Sequence, residues 1–212
     1  MSKYLIHAIP QRMWYVEKHL IPSMEKQGIL EKNITVYNDK EKCGNLQAFL
    51  NSIRGIKEDT WHLQDDIILA SNFAHITENV KNGLVCGFCS GYSKDVPSGT
   101  VFVKDMWYSF PCVRIPVQFT EEFPQWIQKV INVEPYGTWI RLGKFDDSLF
   151  MEFLQKEHAE EKCLNLNPNI IDHIDYLIGG STVNKERYYK KAMSIYWREP
   201  ELLTYWRNVL LG

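Results

Sequence analysis

The residues with the clearest chemical potential are the adjacent carboxylates Asp65 and Asp66, in the stretch Trp61-His62-Leu63-Gln64-Asp65-Asp66-Ile67-Ile68-Leu69-Ala70. Trp61 and Leu63 alternate, and Ile67 to Ala70 run on without a break, the pattern of a strand inside a covered sheet. A carboxylate in such a place needs a cation, a hydrogen-bond donor or a water-filled cleft, because burying it unpaired is costly. Two hard oxygen ligands at a strand end suit Mg2+ or Mn2+, above all where phosphate oxygens complete the shell. A polar turn between two strands is the alternative reading.

Other residues carry weaker signals, each with a plain structural counterpart. His173, in Ile170-Ile171-Asp172-His173-Ile174-Asp175, reads as a ligand or as a satisfied core or turn histidine. Asp146 and Asp147 precede an apolar periodic run, where acids serve as helix caps or as working carboxylates. Asp39 ends a predicted strand, a common place for a turn residue. Near the carboxyl end, Lys185, Arg187, Lys190, Lys191, Arg198 and Arg207 alternate with Tyr188, Tyr189, Tyr196, Trp197, Tyr205 and Trp206. Such a mixture can grip a polyanion and stack bases; a helix that packs its rings on the core and solvates its charges is the preferred reading. Cys86 and Cys89 form a lone CxxC and read as small buried strand residues.

These residues need a scaffold, and 212 residues with 45% hydrophobic content can supply one sizeable core. The formal net charge of −2 excludes a global electrostatic footprint for nucleic acid or an anionic membrane. Five scattered cysteines imply free thiols and a reducing compartment, so a cytoplasmic location is expected, in the host cytoplasm if the chain is viral. No stretch reaches the ~18 apolar residues of a membrane span, and no signal peptide is expected, since His7 and Pro10 interrupt the first apolar run.

In order, the pattern predicts a strand over 4–9, a helix over 12–26 that Pro22 kinks or splits, a strand over 34–37 and a helix over 46–53 with Leu46, Phe49, Leu50 and Ile53 on one face. A strand over 61–69, a helix over 72–81, a strand over 84–89 and a Gly, Ser and Pro-rich loop over 90–99 follow. Next come a strand over 113–117, a helix over 120–130 capped by Thr120, a turn entering a strand over 136–140, a helix over 149–157 and an extended segment over 168–175. The tail over 185–211 reads as helical, interrupted at Pro200. Strands alternating with helices indicate an α/β fold with a parallel sheet.

That order, with Asp39 after the second strand, Asp65-Asp66 on the third, Asp146-Asp147 before a later helix and a late His173, resembles the nucleotide-sugar-dependent glycosyltransferases of the GT-A fold. The resemblance is topological over nearly the whole chain. It implies a Rossmann-type sandwich, a mostly parallel central sheet with helices on both faces, as a single domain over 1–212. The donor half would be 1–90, the acceptor and catalytic half 91–184, and the basic-aromatic tail 185–212.

By the same resemblance, Gln64-Asp65-Asp66 matches the DXD-type motif. Asp66 would chelate the metal, Asp65 would sit near the ribose or hold a metal-bound water, and His173 would complete the metal shell. Asp39 resembles the residue that contacts the nucleotide base, and Gly137 a glycine of the loop near the donor sugar. Arg12 is counted with Asp39, Asp65 and Gly137 among the donor-binding candidates. Phe145-Asp146-Asp147 resembles the motif whose last acid is the base in inverting members, making Asp147 the expected base and Asp146 its reserve.

The implied activity is Mn2+- or Mg2+-dependent transfer of a sugar from a nucleoside-diphosphate sugar, UDP-linked by expectation, to a hydroxyl of a glycan, a protein or a hydroxylated DNA base, as in small bacteriophage transferases. A leaving nucleoside diphosphate calls for a cation, and a weakly acidic hydroxyl calls for a general base. A nucleotidyltransferase-like enzyme is one alternative, although Ile9-Pro10-Gln11-Arg12 lacks a Gly-rich phosphate loop. A non-catalytic α/β domain that binds carbohydrate or nucleic acid is the other.

Overall fold

The computed structural model describes residues 1–88, 99–105, 110–143, 146–179 and 198–211. They build a seven-stranded sheet in the order β2-β1-β3-β7-β5-β8-β6. Its strands are β1 (Lys3–Ala8), β2 (Ile34–Asn38), β3 (Thr60–Gln64), β5 (Leu84–Cys86), β6 (Gly99–Phe102), β7 (Cys112–Ile115) and β8 (Lys162–Asn165). β2 and β3 both pair parallel to β1. β7 runs against β3 and β5, β8 runs with β5, and β6 opposes β8. β1, β2, β3, β5 and β8 therefore share one direction. This is the α/β sandwich with a mostly parallel central sheet that the resemblance implies.

Alternation along the strands divides the core in two. Tyr4, Ile6 and Ala8 of β1 and Trp61 and Leu63 of β3 face one side. That side is covered by Tyr15, Val16, Leu20 and Met24 from the segment after β1, and by Phe73 of α4 (Phe73–Asn79). Leu5 faces the other side, with Leu46, Phe49 and Ile53 of α3 (Asn45–Ile53) and the apolar faces of α5 (Val117–Val130) and α7 (Asp146–Glu157). Phe49 is fully buried there, with Phe110, Phe123 and Phe150 around it.

Four expectations need correction. The stretch predicted as one strand over 61–69 is two: β3 ends at Gln64, and β4 (Ile67–Leu69) leaves the main sheet to pair antiparallel with β9 (Ile171–His173). Both faces of each segment are buried, so the apolar pattern alone does not show the change of partner. α5 starts at Val117, directly after Pro116, because proline is preorganised for a helix start; Thr120 lies inside it and donates its hydroxyl to the Val117 carbonyl. Residues 136–140, predicted to enter a strand, belong to helix α6 (Tyr136–Arg141), since Tyr136, Trp139 and Ile140 pack together on the second core. Gly137 therefore sits in a helix and not in a loop. α7 takes Asp146 and Asp147 into its first turn, where acids favour the dipole.

The predicted first helix is subdivided at Pro22. A three-residue turn (Pro10–Arg12) leads into α1 (Met13–Tyr15), then a π-helical turn (Val16–Leu20), then α2 (Ile21–Lys26). Proline cannot donate to the carbonyl four residues back and its ring crowds it, so the preceding turn widens. Among the described residues, Cys43, Cys86, Cys112 and Cys163 are free thiols, and no helix is long and apolar enough to cross a membrane. Cys89, most of the predicted 90–99 loop, Phe145 and the basic-aromatic residues of 185–197 lie outside the described residues. The rest of the tail is α9 (Pro200–Leu211).

Candidate functional site

The chain following β1, β2 and β3 emerges at one edge of the sheet, at their carboxyl ends. The segment after β1 packs on one face, whereas α3, after β2, packs on the other. Adjacent strands whose connections part to opposite faces leave a crevice between them, where open α/β sheets bind ligands. Arg12, Asp39, Asp65 and Asp66 all follow these strand ends.

The tight turn at Pro10, closed by a hydrogen bond from Arg12 N–H to the Ile9 carbonyl (3.0 Å), folds Arg12 back over the strand ends. Its Nη1 donates to Asp65 Oδ1 (2.9 Å) and to Asp66 Oδ2 (2.5 Å), and its Nε donates to the Gly179 carbonyl (2.8 Å). Asp65 Oδ2 accepts the Ile9 N–H (2.8 Å), so both Asp65 oxygens are held by protein donors. Tyr15 Oη donates to the Ile67 carbonyl (2.6 Å) and fixes the peptide just beyond the aspartates.

The β4–β9 ribbon brings in the late histidine. Ile67 lies opposite His173, and the Ile174 N–H donates to the Asp66 carbonyl (2.7 Å). His173 Nε2 comes to 3.0 Å from Asp66 Oδ2. Asp175 opens the short helix α8 (Asp175–Ile178) directly afterwards. One ligand atom from each of Asp66, His173 and Asp175 lies within 4.8 Å of the other two. α8 ends at Gly179, whose φ of +72° suits glycine and turns its carbonyl to Arg12.

Two observations test this cluster as a cation site. Asp66 Oδ1 is buried and has no hydrogen-bond partner among the described residues. In addition, two ligands about 2.1 Å from a cation and at right angles stand about 3 Å apart, the spacing of His173 Nε2 and Asp66 Oδ2. Two carboxylates and an imidazole form a hard-to-borderline donor set, which fits Mn2+ or Mg2+.

Electrostatics keep Asp66 charged. Burial pushes its carboxyl up, but the charges of His173 and Arg12 outweigh burial and hold it well below the usual range. Burial and the Asp66 charge push Asp65 up. His173 is depressed by burial and raised by Asp66, with a net rise.

The remaining predicted residues are placed separately. Asp39 is buried at the end of β2, where its Oδ1 accepts the Cys43 thiol (3.2 Å) and the Cys43 N–H (3.4 Å). Beside it, His7 of β1 packs its ring edge-on to Tyr37. Burial lowers His7 to about 4 against the opposing charges of Asp39 and Asp66, so the imidazole is neutral at pH 7. Asp146 is buried at the start of α7 and accepts a hydrogen bond from Asn45; burial, with the charge of Asp147, pushes it up to about 7. Asp147 is exposed and accepts the Ser148 N–H (2.7 Å). The two helix starts meet closely: a Cβ on Gly44 (φ +89°) would stand 3.1 Å from the Gly143 carbonyl oxygen. Gly137 packs against Ile131, Glu134 and Arg141, none of them in the cluster, and a Cβ there would meet the Ile131 carbonyl at 2.5 Å.

Comparison with protein-family models finds no match, and comparison with curated proteins finds none either. Among solved structures, the chain is similar in shape to the glycosyltransferase GlyE of Streptococcus pneumoniae TIGR4. The apo form aligns at 8% identity and TM-score 0.46, over 78% of this chain and 45% of that one. A second GlyE structure aligns at 11% identity and TM-score 0.46, over 78% and 46%. HddC from Yersinia pseudotuberculosis aligns at 12% identity and TM-score 0.32, over 58% and 80%. The chain thus spans less than half the length of the GlyE structures it matches.

Arg12, Asp65, Asp66 and His173, all candidates by sequence, meet in space, and Asp175 joins them without a role predicted for it. Its only signal was an acid two residues beyond the candidate histidine. In a predicted extended segment that acid lacked a reason to turn inward; the start of α8 supplies it.

Proposed function

We propose that the chain is a metal-dependent glycosyltransferase that moves a sugar from a nucleoside-diphosphate sugar to an acceptor hydroxyl. The observation that carries this reading is the convergence of Asp66, His173 and Asp175 at the carboxyl edge of the sheet, with Asp66 Oδ1 buried and without a hydrogen-bond partner among the described residues. These three residues would hold the cation. When bound, it would supply Lewis-acid stabilisation of the charge on the departing diphosphate.

The chain's own groups supply the rest. Asp39, at the end of β2, would accept an N–H of the nucleobase in the crevice between β1 and β2; the neutral His7 and Tyr37 lie beside it. A uridine donor fits an acceptor-only carboxylate through its single imide N–H. Asp65, tied to Ile9 and Arg12, orients the turn that carries Asp66. Of the two acids on α7, Asp146 suits the base better: a carboxylate with a pKa near the working pH takes a proton most effectively. Asp147 anchors the helix start through Ser148. The acceptor class stays as the resemblance implies: a glycan, a protein or a modified DNA base.

The test is thermal unfolding of wild type and Asp66→Asn with a panel of nucleoside-diphosphate sugars, each with and without Mn2+. A ligand at 100 times its Kd stabilises by about 2.7 kcal/mol, which for this size is a rise of roughly 5–10 °C. A rise with one donor that needs both Mn2+ and Asp66, followed by transfer or hydrolysis of that sugar, supports the reading. A folded wild type that responds to no donor with Mn2+ rejects it and favours a binding domain.

A further inference from the structure

Arg12 is buried, and its side chain is shared by three elements. It reaches both aspartates after β3 and, through Nε, the carbonyl of Gly179, which caps α8. Asp66 Oδ2 is thereby shared between Arg12 Nη1 and His173 Nε2. A guanidinium does not deprotonate in a protein, so this positive charge can leave Asp66 only by moving. A divalent cation on Asp66, His173 and Asp175 would share a carboxylate with it, and the two like charges would repel strongly in a buried site.

We propose that Arg12 is the site's resident counter-cation. It neutralises the aspartate pair while the metal is absent and competes with the metal for Asp66. On metal binding it keeps Asp65 and Gly179 and gives up Asp66. The inference rests on the metal site proposed above and adds its regulation: metal affinity is set by a cation already in the fold. Arg12 acts here as a positioning residue, through the carboxylates it holds. Without it, two adjacent buried carboxylates would face one another, with the His173 ring 3.0 Å from Asp66 Oδ2.

The test measures Mn2+ binding by electron paramagnetic resonance of the free ion, and metal-free thermal unfolding, in wild type, Arg12→Gln, Arg12→Lys and Asp66→Asn. Arg12→Gln is expected to bind Mn2+ tighter by about tenfold or more, because a competing charge is gone. It is also expected to melt lower than wild type without metal, with the gap closing at saturating Mn2+. Arg12→Lys, whose ammonium is a compact point charge without the planar fork, is expected to bind about threefold tighter and carries the test if the glutamine variant does not fold. Unchanged or weaker Mn2+ binding in the folded Arg12 variants, with normal binding by wild type, overturns the inference and makes Arg12 a strut for α8. Binding by Arg12→Gln alone supports it. Absence of Mn2+ binding in wild type and both Arg12 variants rejects the metal site itself, and the inference with it.

Discussion

His173 Nε2 stands 3.0 Å from Asp66 Oδ2, held there by the pairing of β9 with β4 and by the hydrogen bond from the Ile174 N–H to the Asp66 carbonyl. Two residues far apart in sequence are thus fixed by backbone bonds on both sides of their contact. Asp65, next in the chain to Asp66, shares Arg12 with it but has both oxygens held, by Arg12 and by the Ile9 N–H. The adjacent acids therefore have different tasks.

Substitution separates those tasks. Asp66→Asn is expected to abolish measurable Mn2+ binding, and Asp175→Asn to weaken it by about tenfold or more. Asp65→Asn keeps the ligand set and is expected to weaken binding by less than about tenfold while lowering stability by about 1–3 kcal/mol, because the Ile9 N–H and Arg12 lose an anionic acceptor. Titration of Mn2+ by calorimetry and urea unfolding give the two readouts. Equal loss of metal by Asp65→Asn and Asp66→Asn would contradict this division.

The two acids of α7 are separable by a pH profile. If Asp146 takes the acceptor proton, turnover rises with pH as its carboxyl, pushed up by burial to about 7, ionises. Asp146→Asn is expected to lower kcat by roughly 100-fold or more and to remove that limb. Asp147→Asn, which loses a helix-start contact, is expected to retain most activity at a stability cost of about 1 kcal/mol. The reverse pattern would return the role of base to Asp147.

Asp172 lies fully buried on β9, with Oδ2 lacking a hydrogen-bond partner among the described residues. Burial pushes its carboxyl up to about 7, against the His173 N–H and the charge of Arg207. A pKa raised on folding means that the native state binds the proton more tightly. Its stabilising effect is full below the unfolded value near 4 and is lost as pH rises to about 7. Asp146 acts with the same sign. Asp172→Asn is expected to flatten this dependence and to raise stability at pH 8 relative to pH 5 by on the order of 2 kcal/mol. Thermal melts of both proteins across pH 4–9 check it; parallel curves would show that Asp172 does not titrate in this window.

Gly44, in the loop that follows Asp39, meets Gly143, three residues before Asp146. Its φ of +89° is unfavourable for any residue with a side chain, and an added Cβ would press on the Gly143 carbonyl at 3.1 Å. Gly44→Ala is expected to cost about 1–3 kcal/mol and to weaken donor binding more than Mn2+ binding. Donor and Mn2+ affinities measured on the same sample make the comparison; an equal effect on both would place the loops outside the donor site.

The sequence by itself determined the local chemistry and the class of fold. Alternation in Tyr4 to Ala8 and Trp61 to Leu63, and the helical spacing of Leu46, Phe49, Leu50 and Ile53, are local periodicities, and they specify which face is buried whatever the partner. The adjacent aspartates between apolar runs announced a charge that had to be compensated. Only the tertiary structure decided how. It put Arg12 between the carboxylates, turned Asp175 inward at the start of α8 and moved Ile67 to Leu69 from the main sheet to β9. It also made 136–141 a helix, because Tyr136 finds Trp126 on α5 and Glu152 on α7, with Trp139 against Tyr136 at helical spacing. These outcomes depend on pairing and close approach between distant segments, and no local period encodes which buried strand meets which, or which cation reaches a buried acid first.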